Sequence, residues 1–396
     1  MPCAPSATAS GHNQIITSNV LGKEKIMTVD RYISADSHVL EPANLWLERM
    51  DSPFRDQAPR VVHNPPGFEG DYWLFGDREP VTAVQGFFAG ASRQSYDEIT
   101  EHLRTARYAE RLPGSYDPAA RLKDMDLDGT AAEVLYPTYP LGLMSVTDGP
   151  LQRELFRVYN DWLAQYCASA PERLVGLGLI SVWDVEMAVG EVQRCAAMGL
   201  KGGMIVSYPP EGYGYEQRLY DPLWAAAQEL GMPISLHAFT GHGIEDDSRY
   251  PRLRHSCLHH AAQRSLTQMI YYGVFDRFPG LKIVLAEFDI GWVPHFLWLA
   301  DDKYRMRHEN PAITPKMPPS AYFTANVYAS FIDDPIGLKN TDIIGADNYM
   351  WSNDYPHWES SWPRSRDYIV RNFQGVADEV RRKITWENAR TLYHIG

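Results

Sequence analysis

Short apolar runs rich in β-branched and aromatic residues recur along the chain. Between them lie longer segments whose apolar positions return every three or four residues. Eight runs stand out, at residues 32–35, 132–136, 174–180, 203–206, 233–236, 283–286, 325–328 and 349–352. A strand period alternating with a helix period predicts βα units on a parallel sheet, and eight units favour closure into a (β/α)8 TIM barrel. The helices are legible where glycine and proline punctuate them. Residues 184–198 carry Val185, Ala188, Val189, Val192 and Ala196 on one face and stop at Gly199; residues 223–230 end at Gly231, and 258–278 end at Pro279-Gly280. Residues from about 41 to 121 show no βα unit, and 67–91 alternate aromatic, glycine and charged positions as a small β insertion does. A cap over a site or an arm to a second copy is the expected use of such an insertion. The polar first residues, 1–27, read as a disordered tail ahead of one domain spanning 28–396.

Several of these runs end on a group that binds metal. Asp36 and His38 close the first, and in a strand residues i and i+2 point to the same face. His237 closes the fifth, Glu287 the sixth and Asp354 the eighth. For any one of them, a hydrogen-bonded turn residue is the simpler reading. Acidic and imidazole groups at four separated strand ends together match the way a barrel assembles a metal centre at its mouth. Glu287 follows buried-type residues, where an unpaired carboxylate is costly and a cation removes the cost. Asp354 lies in Ser352-Asn-Asp-Tyr-Pro-His357 among Trp351, Tyr355, Trp358 and Trp362, and His357 is expected to orient it or to join the site. Further donors are sought in His260, His242 and Asp289. Of the adjacent His259 and His260, at most one can face inward from a helix, and His295 reads as helix packing.

Composition narrows the partners. A net charge of −13 over 396 residues argues against nucleic acid or an anionic membrane, both of which call for a basic face. No run is long enough to span a bilayer, and the four cysteines are scattered without a Cys-x-x-Cys pair, as expected of reduced thiols in a cytoplasmic protein. Dinucleotide, P-loop, G-x-S-x-G and H-E-x-x-H motifs are absent from the sequence.

From residue 28 onward the chain resembles the amidohydrolase-related TIM-barrel superfamily, in the branch that contains aromatic-acid decarboxylases. The stretches carrying the resemblance include Met125-Asp-Leu-Asp-Gly-Thr-Ala-Ala-Glu-Val-Leu-Tyr-Pro, Tyr272-Gly-Val-Phe-Asp-Arg-Phe-Pro-Gly-Leu-Lys-Ile-Val and Ile384-Thr-Trp-Glu-Asn-Ala-Arg-Thr-Leu-Tyr. It implies that Asp36 and His38 match the first-strand ligands, His237 the fifth-strand ligand and Asp354 the eighth-strand acid. Glu287 stands where that family usually carries histidine. In this respect the chain resembles a subgroup that includes the nonheme diiron monooxygenase of platensimycin and platencin biosynthesis. That subgroup implies two iron ions on Asp36, His38, His237, Glu287, Asp354 and His260, with Glu287, Asp354 and His357 catalytic. The implied substrate is a lipophilic, coenzyme A-linked acid, hydroxylated in secondary metabolism with electrons from an external donor. The alternative is a mononuclear zinc or manganese hydrolase or decarboxylase acting on a carboxylic acid. A homo-oligomer is compatible with either.

Overall fold

In the computed structural model, residues 31–84, 106–242, 256–306 and 315–396 are described; the expected N-terminal tail lies outside them. In chain order the strands are β1 (Tyr32–His38), β2 (Arg60–His63), β3 (Asp71–Leu74), β4 (Val81–Thr82), β5 (Thr130–Tyr136), β6 (Leu174–Leu179), β7 (Gly202–Ile205), β8 (Ile234–His237), β9 (Ile283–Ala286), β10 (Val327–Phe331) and β11 (Tyr349–Trp351). Eight of them form one parallel sheet in the order β1-β5-β6-β7-β8-β9-β10-β11, with helices between successive strands. These strands are buried almost throughout, which explains why they read as continuous apolar runs rather than alternating ones.

The sheet curls into a nearly closed barrel. No ladder joins β11 to β1, but the segment just past β11 completes the ring. Asp354 N–H donates to the Asp36 carbonyl at 3.0 Å, His38 N–H to the Tyr355 carbonyl at 2.6 Å, and Asn353 N–H to Ser34 Oγ at 2.9 Å. The seam of the barrel therefore runs between the two stretches that carry Asp36, His38 and Asp354.

Two expectations, one for a helix and one for a strand, differ instructively from the structure. The helix expected over 258–278 is two, His259–Tyr271 and Val274–Arg277, because Gly273 takes φ +71° and breaks the run. The seventh strand starts at Val327 rather than Ala325, because Pro319–Asn326 is helical; Asn348 Nδ2 donates to the carbonyls of Phe323 and Thr324 in its last turn and of Val327 just past it. The segment expected over 184–198 is helix Val185–Ala197, with Asp184 as its N-cap, whose side chain accepts from Met187 N–H.

Between β1 and β5, strands β2, β3 and β4 form a separate antiparallel sheet in that order. Trp73 of β3 stacks on Tyr139, just past β5, with ring centroids 4.2 Å apart, and meets Trp46 edge-on at 5.6 Å. The small sheet is thereby anchored at the carboxyl end of the barrel strands. Among the described residues no helix is long and apolar enough to cross a membrane.

Candidate metal centre

Two imidazoles are fixed in the same way. His38 Nδ1 lies 2.7 Å from the Pro137 carbonyl, and His237 Nδ1 lies 2.9 Å from the Ala238 carbonyl. A carbonyl only accepts, so each Nδ1 carries the proton and each Nε2 presents a lone pair. Both lone pairs face Asp36. His38 Nε2 is 3.4 Å and His237 Nε2 3.7 Å from Asp36 Oδ1, and the two rings meet edge-on at 5.1 Å. Asp36 Oδ1, His38 Nε2 and His237 Nε2 are all buried without a hydrogen-bond partner. Leaving three such atoms unsatisfied costs about 1–3 kcal/mol each, and more for the charged one. One cation at their common point satisfies all three.

Asp354 and Glu287 arrive from the ends of β11 and β9. Asp354 Oδ1 is 3.3 Å from His38 Nε2, and Glu287 Oε2 is 3.4 Å from His237 Nε2. Both residues sit at left-handed φ, +52° and +62°, a conformation that costs a non-glycine residue and recurs where a site constrains the backbone. Ser330 of β10 ties Glu287 to Asp36: its Oγ accepts from Glu287 N–H at 3.1 Å and donates to Asp36 Oδ2 at 3.4 Å. Past β10, Asp334 accepts from Ile290 and Gly291 N–H and holds the turn that follows Glu287. Side chains of Asp36, His38, His237 and Asp354 are at most 2% exposed, whereas Glu287 is 18% exposed and reaches toward solvent.

Electrostatics repeat the geometry. Burial opposes charge on Asp36, but His237 and His38 outweigh it and hold the carboxyl well below the usual range. Burial pushes Asp354 up to about 7, with Asp36 adding to the rise against the pull of His38. Glu287 is pushed far up by burial, then by Asp354 and Asp36. Burial, followed by the neighbouring His357, takes His38 down to about 4. Against the burial that opposes its charge, His237 is raised by Asp36 and Asp354. Three carboxylates thus crowd two imidazoles, and a divalent cation is the complement such a site calls for.

The donor atoms fall into two groups, Asp36, His38 and His237 in one, His38, Asp354 and His357 in the other. They share His38, whose single free lone pair serves one ion. His357 Nδ1 points at Asp354 Oδ1, 3.0 Å away, and its Nε2 lies 3.0 Å from Thr138 Oγ1. Its ring is thus hydrogen-bonded at both nitrogens, and Asp36, His38 and His237 are the group whose free donor atoms lie together. Nitrogen and carboxylate oxygen donors in this ratio suit manganese or zinc.

Among the described residues, the other histidines read from the sequence stay apart. His260, expected as a ligand, is exposed on the first turn of its helix, packs against His259 and belongs to neither group. His259 stacks on Trp292 at 6.0 Å. His242 is half-buried, with its N–H on the Tyr208 carbonyl. Asp289 and His295 are exposed. His295 therefore does not pack into the barrel, and its ring stacks on the exposed Trp298.

A buried polar layer lies behind the ligands. Arg121, on helix Pro118–Asp128, pairs through Nε with Glu133 Oε2 at 2.5 Å, donates to the His38 carbonyl at 2.7 Å, and stands 4.4 Å from the Tyr355 ring centroid. Asn353 Nδ2 donates to Glu133 Oε1 at 3.3 Å, and Asn353 Oδ1 accepts from Ser37 Oγ at 2.8 Å. Charged residues inside a helix and a strand carry little signal for such a role, and none of Arg121, Glu133, Ser330 and Thr138 stands out in the sequence.

Comparison with known proteins agrees with this fold. The amidohydrolase family model matches residues 69–395, most of the chain. The chain belongs to the amidohydrolase family. Among curated relatives of this amidohydrolase, the gamma-resorcylate decarboxylase of a Polaromonas species is 26% identical over 301 residues, covering 70% of the chain and 87% of the relative. An amidohydrolase structure from Mycobacterium avium subsp. paratuberculosis superposes with a TM-score of 0.77 at 21% identity, over 93% of this chain and all of that one. A dihydroxybenzoic acid decarboxylase structure from Polaromonas, with bound manganese and the inhibitor 2-nitroresorcinol, gives a TM-score of 0.64 at 20% identity, over 92% and 97% of the two chains.

These findings correct the expected diiron monooxygenase. The relatives are decarboxylases, the metal named with them is manganese, and His38 offers one lone pair where a two-iron site needs more donors. Neither the acyl-CoA substrate nor the electron donor finds support in them. The alternative reading is the one they back.

Proposed function

We propose that this amidohydrolase is a divalent-cation-dependent decarboxylase of an aromatic carboxylic acid. The observation that carries the reading is the convergence of three buried, unpartnered donor atoms on Asp36, His38 and His237, with Asp354 completing the set and Glu287 at its solvent side. The names of the decarboxylase relatives supply the substrate class. Asp36, His38, His237 and Asp354 would hold the ion, with His357 orienting Asp354. When bound, manganese or zinc supplies Lewis-acid attraction for the carboxylate of the acid.

Glu287 is the proton donor in this reading. It stands beside His237, and it alone of the acidic groups in the cluster is open toward the mouth. As the carbon–carboxyl bond breaks, its electron pair stays on the ring carbon and carbon dioxide leaves. The same carbon takes a proton from the Glu287 carboxyl, and Glu287 recovers one from solvent through its exposed edge. Beyond the ends of β6 and β7, Ile180, Val182, Trp183 and Val206 line a small apolar cleft on the same face of the barrel. Its polar neighbours are satisfied internally: Gln152 Nε2 bonds the Leu143, Met144 and Val146 carbonyls, and Trp183 Nε1 bonds Val146. That wall is mostly apolar, with His242 at its edge pushed toward the neutral form by burial.

The test is anaerobic incubation of the manganese-loaded enzyme with hydroxylated benzoates in deuterated water. Carbon dioxide release with one deuterium at the vacated carbon is expected. Glu287→Gln should lower kcat about 100-fold or more while changing manganese affinity less than about tenfold. Turnover that requires dioxygen and a reductant, or wild-type protein that fails to bind manganese, contradicts the reading.

A further inference from the structure

Thr138 follows β5 at the rim of the site, on a segment gripped from two directions. Its own N–H donates to Glu41 Oε1 at 3.1 Å, and that of Tyr139 to Glu41 Oε2 at 3.2 Å. Glu41 is fully buried, three residues past the end of β1. From the other side, the Tyr139 ring is stacked on Trp73 of the inserted sheet. The Thr138 hydroxyl is thus delivered to a set position by the backbone around it, 3.0 Å from His357 Nε2.

At the other end of the same ring, Nδ1 faces the Asp354 carboxylate. A carboxylate that holds a cation is ionised and only accepts, so Nδ1 keeps the proton and Nε2 accepts from the threonine hydroxyl. Two hydrogen bonds at opposite ends then define the plane of the imidazole. One alone leaves it free to swing about the bond to Asp354. The His357 ring also lies 4.0 Å from that of His38, so a swing disturbs two ligands at once.

We propose that Thr138 is a positioning residue: its hydroxyl locks the His357 ring and, through that ring, aims Asp354 at the cation. The inference rests on the reading of Asp354 as a cation ligand. It also assigns a use to the segment after β1 and to the inserted sheet, which together hold Thr138 against the eighth-strand loop.

Thr138→Val keeps the shape of the side chain and removes the hydroxyl. Manganese(II) affinity, measured on metal-stripped protein by the paramagnetic resonance of the free ion, should weaken about tenfold, the size seen when a partner of a ligand is lost. Thr138→Ser should restore it to within about twofold, with the thermal midpoints of all three metal-free proteins alike. In a His357→Phe background, Thr138→Val should add nothing, because the group it acts through is gone. Unchanged affinity in Thr138→Val overturns the proposal, as does a loss that persists in full in the His357→Phe background. A wild-type chain that binds no manganese removes instead the reading of the site beneath it.

Discussion

Replacing Glu133 by glutamine should destabilise this protein more than any surface change, and the hydrogen bonds around it say why. Glu133 accepts from two donors, Arg121 Nε at 2.5 Å and Asn353 Nδ2 at 3.3 Å. A glutamine offers one oxygen and one NH2 group, so whichever way it turns, one contact sets donor against donor. The larger cost is electrostatic. The Arg121 side chain is 0% exposed. Burial opposes its charge, but the Glu133 carboxylate beside it makes the guanidinium hold its proton more tightly than usual. Removing one partner of a buried ion pair costs about 3–5 kcal/mol, since the remaining charge has neither water nor counter-ion. At about 2–4 °C per kcal/mol for mid-sized domains, and less for larger ones, the thermal midpoint should fall on the order of 5–10 °C. Arg121 also holds the His38 carbonyl, so manganese affinity of the folded fraction should fall as well. The assay is thermal unfolding by circular dichroism, alongside the double variant Arg121→Met/Glu133→Leu, which removes both charges and should cost less than Glu133→Gln alone. A Glu133→Gln midpoint within about 1 °C of wild type refutes the argument.

Other outcomes follow from the same structure. Burial pushes Glu41 up to about 7, so between the ordinary glutamate range and 7 the folded chain binds a proton that the unfolded chain has lost. Stability should therefore decline as pH rises through that window, by at most about 1.4 kcal/mol per pH unit, and part of this slope should vanish in Glu41→Gln; an identical slope in the variant contradicts the burial argument. Chelation should lower the thermal midpoint and manganese should restore it, since an ion at about 100 times its Kd contributes roughly 2.7 kcal/mol to the folded state. In Asp36→Asn, where the carboxylate shared by both imidazoles is lost, that response to chelator should be largely absent, and a full response there places the ion elsewhere.

Much of the architecture is legible in the chain because parallel barrel strands are buried on both faces and must be written as unbroken apolar runs. All eight runs are strands, and the seventh begins two residues late because the helix before it runs through Asn326. The polar residue closing a run is legible for the same reason: after several buried positions, Asp36, His237 and Glu287 are conspicuous. Which imidazole nitrogens stay free was not legible, because counting donors in sequence cannot reveal that Pro137 and Ala238 carbonyls each occupy one nitrogen of an imidazole. His260 shows the converse. As a residue type it suits a metal, yet its helix points it to solvent.

Local sequence, then, determined the strands, the helix stops at glycine and the residue types waiting at the barrel mouth, since each follows from periodicity, burial or backbone freedom within a few positions. Closure at the β1–β11 seam decided the rest. It brings Asp354 beside His38, lays Arg121 behind both, and sets Thr138 against His357, contacts between residues up to 316 positions apart. Such contacts depend on hydrogen-bond directions and charge balance in a shared interior, quantities that exist only after the chain has folded.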